Sequence, residues 1–212
     1  MSRPYESARW KTFAEMRSLI DGKQSPVVLL EGTRRLPDWD RPRLVALGKL
    51  LATELPRAVF RTGNANGSDE AFAEGIAAGD PKRLQYMLPY RTLRRERINR
   101  VSYVVSMEDV SFAAESILAQ STVSASPYIR DTVDRYRKNK ANPGRDISAA
   151  YLMRDTLKVT GCPDRDLASA DLGIFYVNVD DPLSGGTGHT IRVCLQESVP
   201  VITQRHWKSW LR

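Results

Sequence analysis

The sequence predicts an α/β fold: an open parallel sheet with helices packed on both of its faces. Three observations predict it. The apolar runs within "SPVVLLEGTRR", "RAVFRTG" and "DLGIFYVNV" are continuous rather than alternating, as in strands covered on both sides. Stretches of helical apolar spacing separate these runs, so strand and helix alternate along the chain. The runs end in turns built from glycine, threonine and asparagine, residue types that open a loop where a strand leaves a sheet.

Taken in order, residues 1–24 read as a helical arm and Val27 to Leu30 as the first strand, turning at Gly32. "PDWDRPRLVALGKLLATELP" places Leu44, Leu47, Leu50 and Leu51 on one helical stripe, and Pro56 stops the helix. "RAVFRTG" is the second strand. "NANGSDEAFAEGIAAGD" gives a glycine turn, an acidic first helical turn, and a face carrying Phe72, Gly75 and Ile76. "RLQYMLPY" is the third strand, and the spacing implies right-handed crossovers between parallel strands. Residues 91–145 read as a helical, basic insertion, with Val101 to Val105 as a possible further strand. "ISAAYLMRDTLKVTG" is a helix facing inward through Ala150, Met153 and Leu157, with Leu152 at the margin. The strand "DLGIFYVNV" follows, then a glycine loop, a helix from about Thr187 to Glu197, and a last strand, "VPVIT". That late helix is expected to bury Ile191, Cys194, Leu195 and Ser198. Trp207 and Trp210, three apart, are expected to dock a terminal helix, with His206 structural.

A chain of 212 residues, 42% apolar and 27% charged, suits one globular domain spanning 1–212. No run of eighteen apolar residues occurs, so no membrane span is expected, and the first residues lack an apolar export core. Cys162 and Cys194 stand outside any metal-ligand spacing and are expected to be reduced thiols, which suits the cytoplasm. The net charge is +7, and the segment from Arg91 to Lys158 holds thirteen Lys/Arg against eight Asp/Glu. Such a segment points to an anionic partner, nucleic acid among them, or to a solvated helical face; composition leaves both open.

Ligands of open parallel sheets lie outside the carboxyl ends of the strands. Three loops at such ends are rich in small residues: Gly32-Thr33-Arg34, the stretch from Thr62 to Asp69, and Ser184 to Thr190. In "SGGTGHT", Gly185, Gly186 and Gly188 let a phosphate approach the free amides of a helix N-terminus, while the hydroxyls of Ser184, Thr187 and Thr190 add donors. The same glycines would also serve a tight turn needing positive φ. In the second loop Gly63 and Gly67 free the backbone and Ser68 opens a helix. Asp69 there is either a helix-dipole partner or an acceptor for a ribose or base edge, with Asn64 or Asn66 beside it. Arg34 presents a fork suited to phosphate oxygens. His189, beside the glycine loop, is a candidate acid or base near neutral pH.

Together "VVLLEGTRR", "FRTGNANGSDEAFAEG" and "DLGIFYVNVDDPLSGGTGHTIRVCLQESVPVI" resemble the SLOG superfamily of Rossmann-like proteins. That group holds the LOG phosphoribohydrolases, also called lysine decarboxylase-like proteins, the molybdenum-cofactor carrier proteins and the DprA DNA-processing proteins. The resemblance covers roughly residues 26–90 and 146–203 and fits no single member. It implies a nucleotide pocket with Gly32, Thr33 and Arg34 on one wall and Gly63, Gly67, Ser68 and Asp69 on the other. Gly185, Gly186, Thr187 and Gly188 would take the phosphate. A bound nucleotide is then the one non-protein group expected, and pairing of copies through flanking helices is implied. The phosphoribohydrolases carry a catalytic glutamate in this late motif, but Arg192 stands at its place here and His189 at the place of a threonine. Arg154 matches the arginine that assists catalysis. Cleavage of an N-glycosidic bond needs a carboxylate near the ribosyl cation, so Asp69, Glu74, Asp180 or Asp181 would have to substitute. Three functions follow: a nucleotide-binding protein, a nucleotide N-glycoside hydrolase or transferase, and a DprA-like DNA-associated protein.

Overall fold

The computed structural model describes residues 12–139 and 146–211. The expected arm up to residue 11 and the stretch 140–145 of the expected insertion lie outside the described residues. Among those described, β1 (Val27–Gly32), β2 (Val59–Thr62), β3 (Leu84–Leu88), β4 (Tyr103–Ser106), β5 (Leu172–Tyr176) and β6 (Val201–Thr203) form one all-parallel sheet. Their spatial order is β4-β3-β2-β1-β5-β6. The helices are α1 (Phe13–Ser18), α2 (Arg41–Glu54), α3 (Ser68–Ala77), α4 (Phe112–Ala125), α5 (Arg130–Lys138), α6 (Ile147–Thr160), α7 (Gly185–Gln196) and α8 (Gln204–Trp207).

Both faces of the sheet are covered, which is why the strands read as unbroken apolar runs. On one face Met16, Leu44, Leu47, Leu51, Phe72 and Ile76 pack over Val28, Leu30, Phe60 and Ile174. Leu50, expected on the same stripe, is half-buried. Gly48 and Gly75 bring α2 and α3 together, since a Cβ on Gly75 would stand 2.2 Å from the Val45 carbonyl oxygen. On the other face α7 covers Val27, Leu29 and Phe175 through Ile191, Val193 and Cys194. α4, α5 and α6 cover Met87 and Val105 through residues such as Leu118, Val133 and Met153. Each such side chain stabilises the fold by about 1.5–3 kcal/mol over its exposed state.

Three expectations change. The segment 91–145 is not helical throughout: it supplies the edge strand β4, in register with β3 from Gln85↔Tyr103 to Leu88↔Ser106, and before it only a short 3-10 turn at Arg95–Arg97. α7 begins at Gly185, two residues before the expected start. Leu195 and Ser198 are exposed; α7 is instead wedged between the sheet and the α4–α6 layer, burying His189, Thr190 and Val193 as well as Ile191 and Cys194. Both cysteines are free and buried. Trp207 is fully buried and donates its indole N–H to the Phe175 carbonyl at 2.9 Å, while Trp210 meets Phe13 edge-on. No helix among the described residues is long and apolar enough to cross a membrane.

After β4 the chain crosses back over the sheet through α4, α5 and α6 and re-enters as β5 on the far side of β1. The loops leaving β1 and β5 therefore diverge, and a crevice opens between them at their carboxyl ends.

Candidate ligand-binding cleft

That crevice is a cleft of about 710 Å³, a volume ordinary for a small-molecule site. Of the residues singled out in the sequence, Gly32, Thr33 and Arg34 line it from the β1 loop, and Asp69 from the start of α3. Ser184, Gly185, Gly186 and Thr187 line it from the start of α7, with Asp181 just before them and Arg154 on α6 opposite.

The start of α7 presents unused backbone donors to the cleft. Ser184 caps it in extended conformation, but its hydroxyl donates to the Asp181 carbonyl at 2.8 Å and makes no cap bond. Among the described residues the amides of Gly185, Gly186 and Thr187 therefore find no acceptor; the first amide turned inward is that of Gly188, which donates to Ser184. Gly185 adopts φ +59°, a left-handed conformation that other residues adopt at a cost. Above it is open space, whereas a Cβ on Gly186 would meet Asp155 Oδ2 at 2.9 Å.

Beneath the cleft lies a layer of buried charge. Glu31, Asp69, Arg154, Asp155 and Lys158 are all less than a tenth exposed. Lys158 bonds both Glu31 and Asp155, the latter at 2.8 Å, and Arg154 Nε lies 3.2 Å from Asp155 Oδ1. Three carboxylates thus face two cations. Burial penalises the excess negative charge, and Glu31 is raised to about 7: desolvation is the main cause, Lys158 opposes it, and Asp155 and Asp69 reinforce it. Burial would raise Asp155 as well, but Arg154 and Lys158 outweigh it and hold that carboxyl below its ordinary value. Among the described residues Nε of Arg154 has only its ion pair with Asp155 and Nη1 has no hydrogen-bond acceptor, although the residue is buried and lines the cleft. Its guanidinium also stands 5.6 Å from the Tyr151 ring centre, with that of Arg34 at 5.3 Å from the same ring.

Other expected site residues stand behind the cleft rather than in it. Asn64 has φ +57° and donates its amide to the carbonyls of Leu93 and Arg94, both at 3.2 Å. Gly67 packs against the Arg34 carbonyl, and Ser68 donates to the Thr33 carbonyl at 2.8 Å, so both support the β1 loop. Gly63 lies under Arg154, and Gly188 packs on the Leu183 carbonyl. The Thr190 hydroxyl lies between two acceptors, the Gly186 carbonyl at 3.0 Å and Glu31 at 3.1 Å. His189 is fully buried between Ser126 Oγ, 2.8 Å from Nδ1, and Thr156 Oγ1, 3.1 Å from Nε2. Desolvation lowers it to about 4, with Asp155 opposing. Glu74 pairs with Arg41 on the α2–α3 side, and Asp180 is exposed, outside the cleft lining.

Arg192, which the resemblance sets where the phosphoribohydrolases have a glutamate, donates to Ser126 Oγ, the Leu183 carbonyl and the Tyr128 hydroxyl. Sequence reasoning passed over Glu31, Asp155, Lys158, Tyr128 and Tyr151. Two signals mark the three charged residues, and none marks the tyrosines: a glutamate closing the apolar run "VVLLE", and Arg-Asp-x-x-Lys inside an otherwise inward-facing helix.

No protein-family model matches the chain, and no curated protein does. Among solved structures, DNA processing protein A from Helicobacter pylori, described for its single-stranded DNA binding mode, aligns at 15% identity. The alignment covers 88% of this chain and 67% of that one, with a TM-score of 0.45.

Proposed function

We propose that the protein binds a phosphorylated small molecule of the nucleotide kind, with its phosphate on the amides of Gly185, Gly186 and Thr187. One coincidence carries the reading: among the described residues, acceptor-free amides at the start of α7 share a cleft with a buried arginine whose Nη1 also lacks an acceptor. An anion between them would satisfy both sets of donors, and a phosphate has enough oxygens to do so. Arg34, at the mouth of the same cleft, supplies a further cation.

Binding takes precedence over hydrolysis in this reading. The buried carboxylates beneath the cleft are committed to Lys158, Arg154 or backbone amides, Asp181 stands exposed at the rim, and the residue that the resemblance sets at the glutamate position is an arginine turned toward Tyr128. The test is calorimetric titration with adenosine 5′-monophosphate, ribose 5-phosphate and inorganic phosphate. Binding of the phosphate esters is expected, and Gly186→Val should abolish it while the melting transition survives. Failure of the native protein to bind any of the three would refute the reading; unchanged affinity in Gly186→Val would move the phosphate away from α7.

A further inference from the structure

One wall of the cleft is aromatic and apolar and has no part in holding a phosphate. It is formed by Tyr128, which leads into α5, and by Ile147 and Leu152 on α6. Tyr128 is 74% exposed and Ile147 43% exposed. Single exposed apolar residues are ordinary, but this tyrosine is held in place. Its hydroxyl accepts from Arg192 Nη2 at 2.9 Å, while the same guanidinium donates to Ser126 Oγ at 3.1 Å and to the Leu183 carbonyl at 2.8 Å. Leu183 immediately precedes the residue that caps α7. One arginine thus ties an exposed ring to the loop that presents the free amides.

We propose that Tyr128 is the surface on which a planar heterocyclic ring of the ligand stacks, so that the cleft selects phosphates bearing an aromatic base over bare sugar phosphates. The inference rests on the phosphate reading above and specifies the rest of the ligand. A tyrosine face accepts any base by stacking, and a ring already fixed in orientation loses little further freedom when it is covered. Ile147 and Leu152 supply the apolar flank that the edge of such a ring would meet.

The experiment measures adenosine 5′-monophosphate, cytidine 5′-monophosphate and ribose 5-phosphate against native protein, Tyr128→Ala and Tyr128→Phe, with thermal melts to verify folding. Native protein should bind the two nucleotides at least about fivefold more tightly than ribose 5-phosphate. Tyr128→Ala should bring them to the ribose 5-phosphate level without changing ribose 5-phosphate itself, and Tyr128→Phe should keep the preference. If Tyr128→Ala leaves nucleotide affinity intact, stacking is refuted and the phosphate reading stands. The inference fails equally if Tyr128→Ala weakens all three ligands by one factor, or if Tyr128→Phe behaves like Tyr128→Ala. If native protein binds none of them, the phosphate reading itself has failed and the stacking surface falls with it.

Discussion

The Arg154 guanidinium fills the space in which a side chain at position 63 would begin: its Nη1 lies 1.6 Å from where a Cβ on Gly63 would stand. Glycine at 63 is therefore what allows α6 to deliver a buried cation to the carboxyl end of β2. Gly63→Ala should expel the guanidinium and leave Asp155 short of a partner, a change that costs about 3 kcal/mol when a buried pair is broken. Affinity for adenosine 5′-monophosphate should fall at least about tenfold in the same variant, an expectation from losing a charge-assisted contact. Urea unfolding and titration calorimetry read the two effects. A variant that binds normally would show that Arg154 does not contact the ligand.

Asp69 shows a different use of a buried carboxylate. It accepts from the amides of Gly32 at 3.3 Å, Gly63 at 3.2 Å and Ala65 at 3.3 Å, tying the ends of β1 and β2 to the start of α3. Burial raises its pKa, opposed by Lys158 and Arg154. Asp69→Asn should lower the unfolding free energy by about 1–3 kcal/mol, since a side-chain amide has one acceptor oxygen for three N–H donors and leaves a buried donor unsatisfied. A variant of unchanged stability with binding lost would instead make Asp69 a direct ligand contact.

The contrast between these two residues marks how far the sequence could be read. Apolar runs and helical stripes located β1, β2, β3, β5 and β6, because strands covered on both faces are built mostly from apolar residues. β4 was legible only as a possibility, since its edge position leaves Tyr103 and Val101 exposed and breaks the pattern. The loops that meet at the cleft were legible because glycine and threonine cluster at strand ends. Which of their residues line the cleft was not. Ser68, Gly67 and Asn64 carry the same residue signature as Ser184 and Gly186 but use it to brace other loops. The buried charge layer escaped notice because Glu31, Asp155 and Lys158 come from separate segments and declare themselves only when their distances are known.

On the phosphate reading, Glu31 should give binding a pH dependence. Its folded pKa is raised to about 7 from 4.5, so at neutral pH it is poised between protonated and ionised. A phosphate entering the cleft above it adds negative charge and favours the protonated form, so binding takes up a proton and affinity falls as pH rises above 7. The clean window is pH 7.5 to 8.5, where a phosphate monoester, with its second pKa near about 6, is already a dianion. Affinity for ribose 5-phosphate should decline across that window in native protein. In Glu31→Gln the decline should be absent. An equal slope in both proteins would separate Glu31 from the ligand.

His189 should give the fold itself a measurable acid sensitivity. The imidazole is neutral between Ser126 and Thr156, and desolvation lowers it to about 4, with Asp155 opposing and Arg192 and Lys158 reinforcing. The unfolded chain binds a proton at the ordinary value of 6.5, so below that pH protonation favours the unfolded state. The loss grows until the folded pKa is passed, reaching about 3 kcal/mol by linkage. Glu31 acts in the opposite direction between 4.5 and 7, because its raised pKa lets the folded state keep a proton that the unfolded state releases. The imidazole is therefore isolated by difference. At pH 7.5 native protein should be more stable than His189→Gln, which disturbs the two hydroxyl bonds, and this advantage should shrink steadily from pH 6.5 toward 4. Urea midpoints of the two proteins at pH 7.5 and pH 5 measure it. An advantage that holds constant with pH would mean that His189 takes up its proton inside the folded protein as readily as outside it.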